Sequence, residues 1–272
     1  MKEWAAAKIN LSLRILGKRR DGFHELETLM TNIRLADALE FDFGGSGLRI
    51  SCSDTTLPTD ESNLVARAVR AFEKKTNLRA DVAIHIDKHI PHGAGLGGGS
   101  SDAATVLRVM DAHFGTGLDA TTLIELAAEV GSDVAFFLRG GAAWCRGRGE
   151  QTDPVSALKP MRLILFKPPF GVETAWAYRA YALNPETSGD VQLVRNVKLT
   201  NDMEGPVFRK FLLLPILKEW LRRQPEVEGS LMAGSGSTVF GVLRVDADAD
   251  ALSARARQMF GETLWCCETE TV

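Results

Sequence analysis

Eleven residues, Pro91-His92-Gly93-Ala94-Gly95-Leu96-Gly97-Gly98-Gly99-Ser100-Ser101, carry five glycines within seven positions. They follow a strand-like run, Val82-Ala83-Ile84-His85-Ile86, and precede a helix-like run from Asp102 to about Phe114. Glycine lacks a Cβ and tolerates positive φ, so successive backbone N–H groups can turn inward and form an anion-binding concavity. The start of the following helix adds free N–H groups and a partial positive charge. The chemistry that suits this pattern is the cradling of a nucleotide phosphate. A flexible Gly/Ser linker would not require a strand before it and a helix after it. A Walker A loop would end in Lys-Ser/Thr, where this chain has Ser100-Ser101-Asp102. Gly93, Gly95 and Gly98 satisfy a bare G-x-G-x-x-G, but a dinucleotide-binding unit needs a second parallel strand after its helix. Here Thr116-Gly117-Leu118-Asp119 and another helical pattern follow instead, with Leu123, Ile124, Leu126, Ala127 and Val130 on one stripe.

Three other segments hold residues capable of chemistry. Lys8 lies in an alternating run in which Ile9, Leu11, Leu13 and Ile15 share one face, and it falls on the opposite, polar face with Asn10. A strand lysine there is ordinarily solvated, but beside a phosphate site it could hold charge on a transferring group. In Gly131-Ser132-Asp133-Val134-Ala135-Phe136-Phe137, Ser132 or Asp133 reads on its own as the cap of a short apolar helix. Ala233-Gly234-Ser235-Gly236-Ser237-Thr238 is a second Gly/Ser turn between strand-like runs.

The elements that must position these groups are mixed along the chain. Strands are expected at Trp4–Leu16, His24–Leu35, Ala38–Phe43, Leu48–Cys52 and Ala142–Cys145. Ser62 is expected to cap a helix whose stripe is Leu64, Val65, Ala68, Val69 and Phe72. A polar stretch between Arg146 and Pro160 separates the halves. The second half reads as strand Arg162–Phe166, helix about Thr174–Leu183, a two-part helix around Phe208–Arg223 interrupted near Pro215, strand Thr238–Val245, helix Ala249–Phe260 and strand Thr263–Cys267. This mixture predicts an α+β protein of two domains. At 272 residues and 45% hydrophobic, the chain has ample material for a core. A net charge of −3 with no dense basic cluster gives no footprint for nucleic acid, and Lys18-Arg19-Arg20 reads as a solvated turn. The four cysteines lack C-x-x-C spacing, which argues against a thiolate metal site and for reduced thiols in the cytoplasm. Neither a signal peptide nor a membrane-length apolar run is expected.

Taken in order, A-K-I-N at Ala7–Asn10, the glycine loop at 91–101, G-S-D-V-x-F at Gly131–Phe136 and A-G-S-G-S at Ala233–Ser237 resemble the GHMP small-molecule kinases. That superfamily includes galactokinase, homoserine kinase, mevalonate kinase and phosphomevalonate kinase, and the likeness runs from Ala7 to Gly241. Lys8-Ile9-Asn10-Leu11 followed by Arg20-Asp21-Gly22-Phe23-His24-Glu25-Leu26 is similar to the branch that phosphorylates a diphosphocytidyl alcohol in non-mevalonate isoprenoid synthesis. The resemblance implies a two-domain GHMP kinase fold. Residues 1–153 would form an ATP-binding and catalytic domain like ribosomal protein S5 domain 2, with a left-handed β-α-β crossover against the usual handedness. Residues 154–272 would form a ferredoxin-like domain. ATP would be co-substrate, with Mg²⁺, and the partner would be a small molecule rather than nucleic acid or membrane. The protein would be a monomer or weak homodimer.

The resemblance also implies roles. Pro91 to Ser101 would wrap the ATP phosphates, namely Pro91, His92, Gly93, Ala94, Gly95, Leu96, Gly97, Gly98, Gly99, Ser100 and Ser101. Gly234, Ser235 and Gly236 would close over them. Asp133 would accept the proton of the acceptor hydroxyl, with Lys8 beside it stabilising the attacked phosphoryl group. His24 would read the cytosine edge, Phe23 would help form that pocket and Tyr178 would stack on the base. Asn10 and Thr174 would orient the diphosphate or erythritol part. Asn63 and the loop around Leu57-Pro58 are candidates for the adenine side, and Ser101 is a candidate Mg²⁺ ligand. Two departures stand out: Ala135 where the family commonly has proline, and His92 where a small or flexible residue is expected. The alternatives are another GHMP kinase, acting on mevalonate or homoserine, and a nucleotide-binding regulator without catalysis.

Overall fold

The fold is built on one long antiparallel ladder, seen in a computed structural model that describes residues 1–156 and 158–272. Strand β1 (Lys2–Lys18) turns through Arg19–Phe23 into β2 (His24–Phe43). Then follow β3 (Leu48–Cys52), α1 (Leu64–Thr76), β4 (Val82–Asp87), α2 (Gly98–Phe114), α3 (Ala120–Val130), α4 (Val134–Arg139), β5 (Ala142–Gly147) and β6 (Gln151–Pro154). The second half comprises β7 (Arg162–Lys167), α5 (Thr174–Leu183), β8 (Gln192–Val194), β9 (Val197–Asn201), α6 (Glu204–Lys210) and α7 (Leu213–Arg222). It closes with β10 (Val227–Met232), β11 (Val239–Leu243), α8 (Ala249–Phe260) and β12 (Trp265–Glu270).

The first sheet has the order β3-β4-β2-β1-β9-β8, with β5 paired to β2 and β6 to β5. β3 and β4 are parallel and are joined through α1. The second sheet, β10-β11-β7-β12, is antiparallel throughout. Its strands and its helices α5 and α8 follow the β-α-β-β-α-β order of a ferredoxin-like unit, with the 192–222 elements inserted before β10. The proposed boundary at 153/154 falls inside β6, and the β8–β9 hairpin of the second half completes the first sheet.

The alternation of β1 decides how the two sheets meet. Ala7, Ile9 and Leu11 pack with Leu163 and Leu165 of β7, Leu231 of β10, and Phe240 and Val242 of β11 in one core between the sheets. Fully burying each large aliphatic side chain contributes roughly 1.5–3 kcal/mol, so this seam holds the halves in one register. A second core lies between the first sheet and α1–α4, and a third between the second sheet and α5–α8.

Several boundaries differ from expectation for identifiable reasons. The runs 24–35 and 38–43 are one strand, because the polar break at Asp37 is fully buried and satisfied: its Oδ1 accepts from the His89 and Ile90 N–H groups, and Lys88 pairs with Oδ2. Asn63, not Ser62, caps α1, its Oδ1 accepting from Val65 N–H at 2.9 Å, while the Ser62 hydroxyl turns to Asp60. Helix α2 begins at Gly98 rather than Asp102, since Gly97, at φ 74°, serves as its N-cap. The break expected near Pro215 lies at Phe211-Leu212. Pro215 sits in the first turn of α7, where its missing N–H removes no helical bond. Among the described residues no helix is long and apolar enough to cross a membrane.

Candidate active site

The polar parity of β1 points into a cleft of about 880 Å³ that runs between the phosphate loop and α5. Lys8 is buried at 4% exposure and its ammonium is held from two sides. Nζ donates to Asn10 Oδ1 at 2.8 Å and to the Gly95 carbonyl at 3.0 Å. Asn10 in turn donates from Nδ2 to Thr28 Oγ1 at 2.8 Å, which fixes its amide so that the oxygen faces the lysine. Ladder irregularities fall between Ala6 and Lys8 and between Asn10 and Ser12. Such bulges re-aim side chains locally and are common beside active sites; alternation alone does not announce them.

Asp133 occupies the N-cap position of α4 yet makes no capping hydrogen bond. Its Oδ2 lies 3.6 Å from Lys8 Nζ instead, with the side chain 36% exposed to the cleft. The structure therefore brings the two candidate reacting groups, 125 positions apart in sequence, into one ion pair. Gly149 backs this carboxylate: a Cβ there would stand 3.8 Å from Asp133 Oδ1.

The glycine loop closes against the same lysine. The Leu96 carbonyl accepts from Lys8 N–H at 2.9 Å, and Gly97 leads into α2, whose first N–H groups have no helical acceptor. A Cβ at Gly97 would meet Phe137 at 2.8 Å and Lys8 Cε at 3.1 Å. One at Gly95 would stand 2.1 Å from the Ala233 carbonyl oxygen, so the first loop and the 233–237 turn touch backbone to backbone. Below the loop, Lys88 Nζ pairs with Asp37 and with Asp102 Oδ2, the latter at 3.0 Å. Burial lowers the Lys88 pKa, but its two carboxylate partners outweigh burial and hold it above the ordinary lysine range. Burial pushes Asp102 up to about 7, Lys88 opposing and Asp37 adding to the rise.

At the other end, the His24 and Tyr178 rings stack with centroids 5.3 Å apart and planes 24° from parallel. Burial, and then Lys18, lowers the His24 pKa, so its ring is neutral at pH 7. The Tyr178 phenol is pushed above its usual range, first by burial and then by the Asp133 charge. Thr174 Oγ1 and Ser235 Oγ lie 2.9 Å apart, linking α5 to the second glycine turn. Phe23 is half exposed, with the Arg148 guanidinium 4.8 Å from its ring centroid.

Of the residues singled out in sequence, Lys8, Asn10, Phe23, His24, Asp133, Thr174, Tyr178, Gly234 and Ser235 line this cleft, as do 91–100 and the adenine candidates Leu57, Pro58 and Asn63. Ser101 does not: it is buried under the loop, and Ser100 faces the cleft. Gly236 also stands back from the lining. Lys18, Arg148 and Arg179 were missed as lining residues. Gly147-Arg148-Gly149 lies in the stretch that reads as a polar separator in sequence, although its two glycines, at φ 71° and 112°, mark a turn that presents an arginine. Among the described residues no cluster of three His, Cys, Asp or Glu offers a metal cage.

A lysine–carboxylate pair, two glycine turns and a following helix N-terminus are the apparatus of a small-molecule kinase of the GHMP class. Residues 63–141 match the family described as the GHMP kinases N terminal domain. Homoserine kinase from Cytophaga hutchinsonii shares the fold with a TM-score of 0.71 over 100% of this chain and 94% of its own, at 16% identity. Nearer relatives are more particular. The 4-diphosphocytidyl-2-C-methyl-D-erythritol kinase of Syntrophotalea carbinolica is 39% identical over 270 residues, 96% of this chain and 95% of that one. A crystal structure of 4-(cytidine 5'-diphospho)-2C-methyl-D-erythritol kinase superposes with a TM-score of 0.81 at 36% identity, covering 100% of both chains. The chain belongs to the 4-diphosphocytidyl-2-C-methyl-D-erythritol kinase family.

Proposed function

We propose that the protein transfers the γ-phosphoryl group of ATP to the 2-hydroxyl of 4-diphosphocytidyl-2-C-methyl-D-erythritol, a step of non-mevalonate isoprenoid synthesis. The observation that carries the reading is the Lys8–Asp133 pair standing between a phosphate cradle and an aromatic pocket within one cleft. The acceptor oxygen attacks the γ-phosphorus, the bond from that phosphorus to the β,γ-bridging oxygen breaks, and ADP leaves. Asp133 accepts the hydroxyl proton. Lys8, already directed by Asn10 and Gly95, stabilises the charge on the transferring group. Phosphoryl transfer is mostly positioning and charge stabilisation, so a well-placed carboxylate serves as base. The residues 91–100 hold the triphosphate, and Gly234 and Ser235 close over it. Phe23, His24 and Tyr178 take the cytosine, while Asn10, Thr174 and the cations Lys18, Arg148 and Arg179 suit the diphosphate and polyol.

When bound, Mg²⁺ would supply positive charge that neutralises the transferring phosphoryl group. It usually takes one or two protein ligands and keeps several waters, which fits a cleft offering the Ser100 hydroxyl rather than a dedicated cage. In this reading residues 1–153 form the ATP-binding and catalytic domain and 154–272 the C-terminal domain, in a cytoplasmic enzyme. ADP release measured with the cytidyl acceptor, its uridyl analogue, mevalonate and homoserine tests it. Rapid turnover of the cytidyl compound alone is expected. Preference for mevalonate or homoserine would overturn the acceptor, and ATP binding without turnover of any of the four would overturn the kinase.

A further inference from the structure

Three of four consecutive residues, Asn201, Asp202 and Glu204, are polar side chains buried at 0%, 1% and 4% exposure, away from the reacting groups. A buried polar group is costly unless its hydrogen-bonding capacity is used; Asp202 uses it on β1 and the Ser188 loop, while Glu204 and Asn201 both use it on the end of β10. Asp202 accepts from the Ile15 N–H of β1 at 2.9 Å and from the Ser188 N–H at 2.7 Å. Glu204 accepts from the Met232 N–H of β10 at 3.0 Å and pairs with Lys218 at 2.6 Å. Asn201 donates both Nδ2 protons, to the Met232 and Gly234 carbonyls at 2.8 Å each, and its Oδ1 accepts from Met203 N–H at 2.9 Å.

Asn201 ends β9, which pairs with β1 opposite Leu13 and so belongs to the strand system that carries Lys8 and Asn10. The Gly234 it holds belongs to the turn between β10 and β11, in the other sheet. That turn is pressed onto the reacting pair: a Cβ at Gly234 would stand 3.2 Å from Lys8 Nζ and 3.3 Å from Asn10 Oδ1. We infer that Asn201 is a positioning residue that registers the second glycine turn over Lys8, so that phosphoryl transfer depends on its two donated hydrogen bonds although it touches no substrate. The inference rests on the kinase reading above and adds a residue to it. Only a side chain with two donors on one planar group satisfies both carbonyls. An aspartate would set a negative oxygen against them. Asp202 and Glu204 anchor the segment independently, so the fold does not rest on Asn201 alone.

The test is steady-state kinetics of Asn201→Asp and Asn201→Ser with ATP and the cytidyl acceptor, folding being followed by circular dichroism. A displacement near 1 Å at a reacting centre costs about 10²-fold. The expected result for Asn201→Asp is therefore a kcat about 10²-fold lower with the acceptor KM within about threefold. Asn201→Ser, retaining one donor, should lose less. Combining Asn201→Ser with Gly234→Ala should cost little more than the worse single change, because both act through one turn. Should Asn201→Asp fail to fold, Asn201→Ser and the double variant decide by the same criteria. A folded variant with kcat within about threefold of wild type, or fully multiplicative losses, would overturn the inference alone. A wild-type protein inactive on every acceptor would overturn both it and the kinase reading.

Discussion

Lys8 and Asp133 differ in how they are held, and the difference separates two kinds of mutational effect. Asp133 is over a third exposed and uses no capping bond, so its pairing is worth no more than about 1 kcal/mol. Asp133→Asn should therefore lower kcat by about 10²–10⁴-fold, the usual contribution of a general base, with ATP affinity and melting temperature nearly unchanged. Single-turnover kinetics checks the first and calorimetry the second; a variant within a few-fold of wild type would leave Asp133 without a role in proton transfer. Lys8 is buried, and Lys8→Met leaves the Gly95 carbonyl and Asn10 Oδ1 short of a donor, each at about 1–3 kcal/mol. That variant should lose activity and measurable stability together. His24 titrates below 6.5 because burial, and then Lys18, disfavours its charged form. As pH falls through 6.5, the unfolded chain takes up this proton before the folded one, so the site's contribution opposes folding there and is absent above pH 7. NMR titration of the His24 ring should give a midpoint under 6.5; a higher one would contradict a neutral base-reading histidine. These residues were legible because each sits in a short segment of distinctive composition. Arg148 and Asn201 were not, since an arginine between glycines and an asparagine in an alternating strand acquire meaning only from distant partners.

The glycine run, as an element, was legible down to its purpose, since strand, loop and helix follow one another with no other use for so many glycines. Its contact with the 233–237 turn was not, because Gly95 and Ala233 are 138 positions apart and meet only when β1 packs its apolar face on the second sheet. Helix α2 also starts four residues earlier than its composition suggests, as glycine's poor propensity is overridden by packing against Ile90, Leu64 and Phe137. Backbone contact makes Gly95 the most demanding position. A methyl there would stand 2.1 Å from the Ala233 oxygen, at φ 76°, and no side-chain rotation relieves it. Gly95→Ala should thus force the two turns apart, abolish ATP binding in calorimetric titration and lower the melting temperature. Normal affinity would mean that the turns do not jointly form the phosphate site. Of the elements themselves, β8 escaped the sequence pattern because a three-residue strand holds too few positions for an alternation to register.

Across the whole molecule, the proposed reading has one cleft serve two substrates from opposite ends. Asn63, Leu57 and the glycine loop bound one end; Phe23, His24, Arg148 and Tyr178 bound the other, and Lys8 with Asp133 lies between. Its volume of about 880 Å³ falls within the range of pockets that bury a small ligand almost completely. This geometry has a kinetic consequence. Cytidine 5'-diphosphate, which carries the base and the anionic groups but no acceptor hydroxyl, should compete with the cytidyl acceptor and not with ATP. The uridine analogue should inhibit about 5–150-fold more weakly, because exchanging the exocyclic amine for a carbonyl leaves polar groups unpaired at about 1–3 kcal/mol. In His24→Ala that preference should largely vanish while ATP affinity stays constant. Inhibition patterns at varied ATP and varied acceptor decide the matter: competition of cytidine diphosphate with ATP would place both nucleotides at one end and dissolve the division of the cleft.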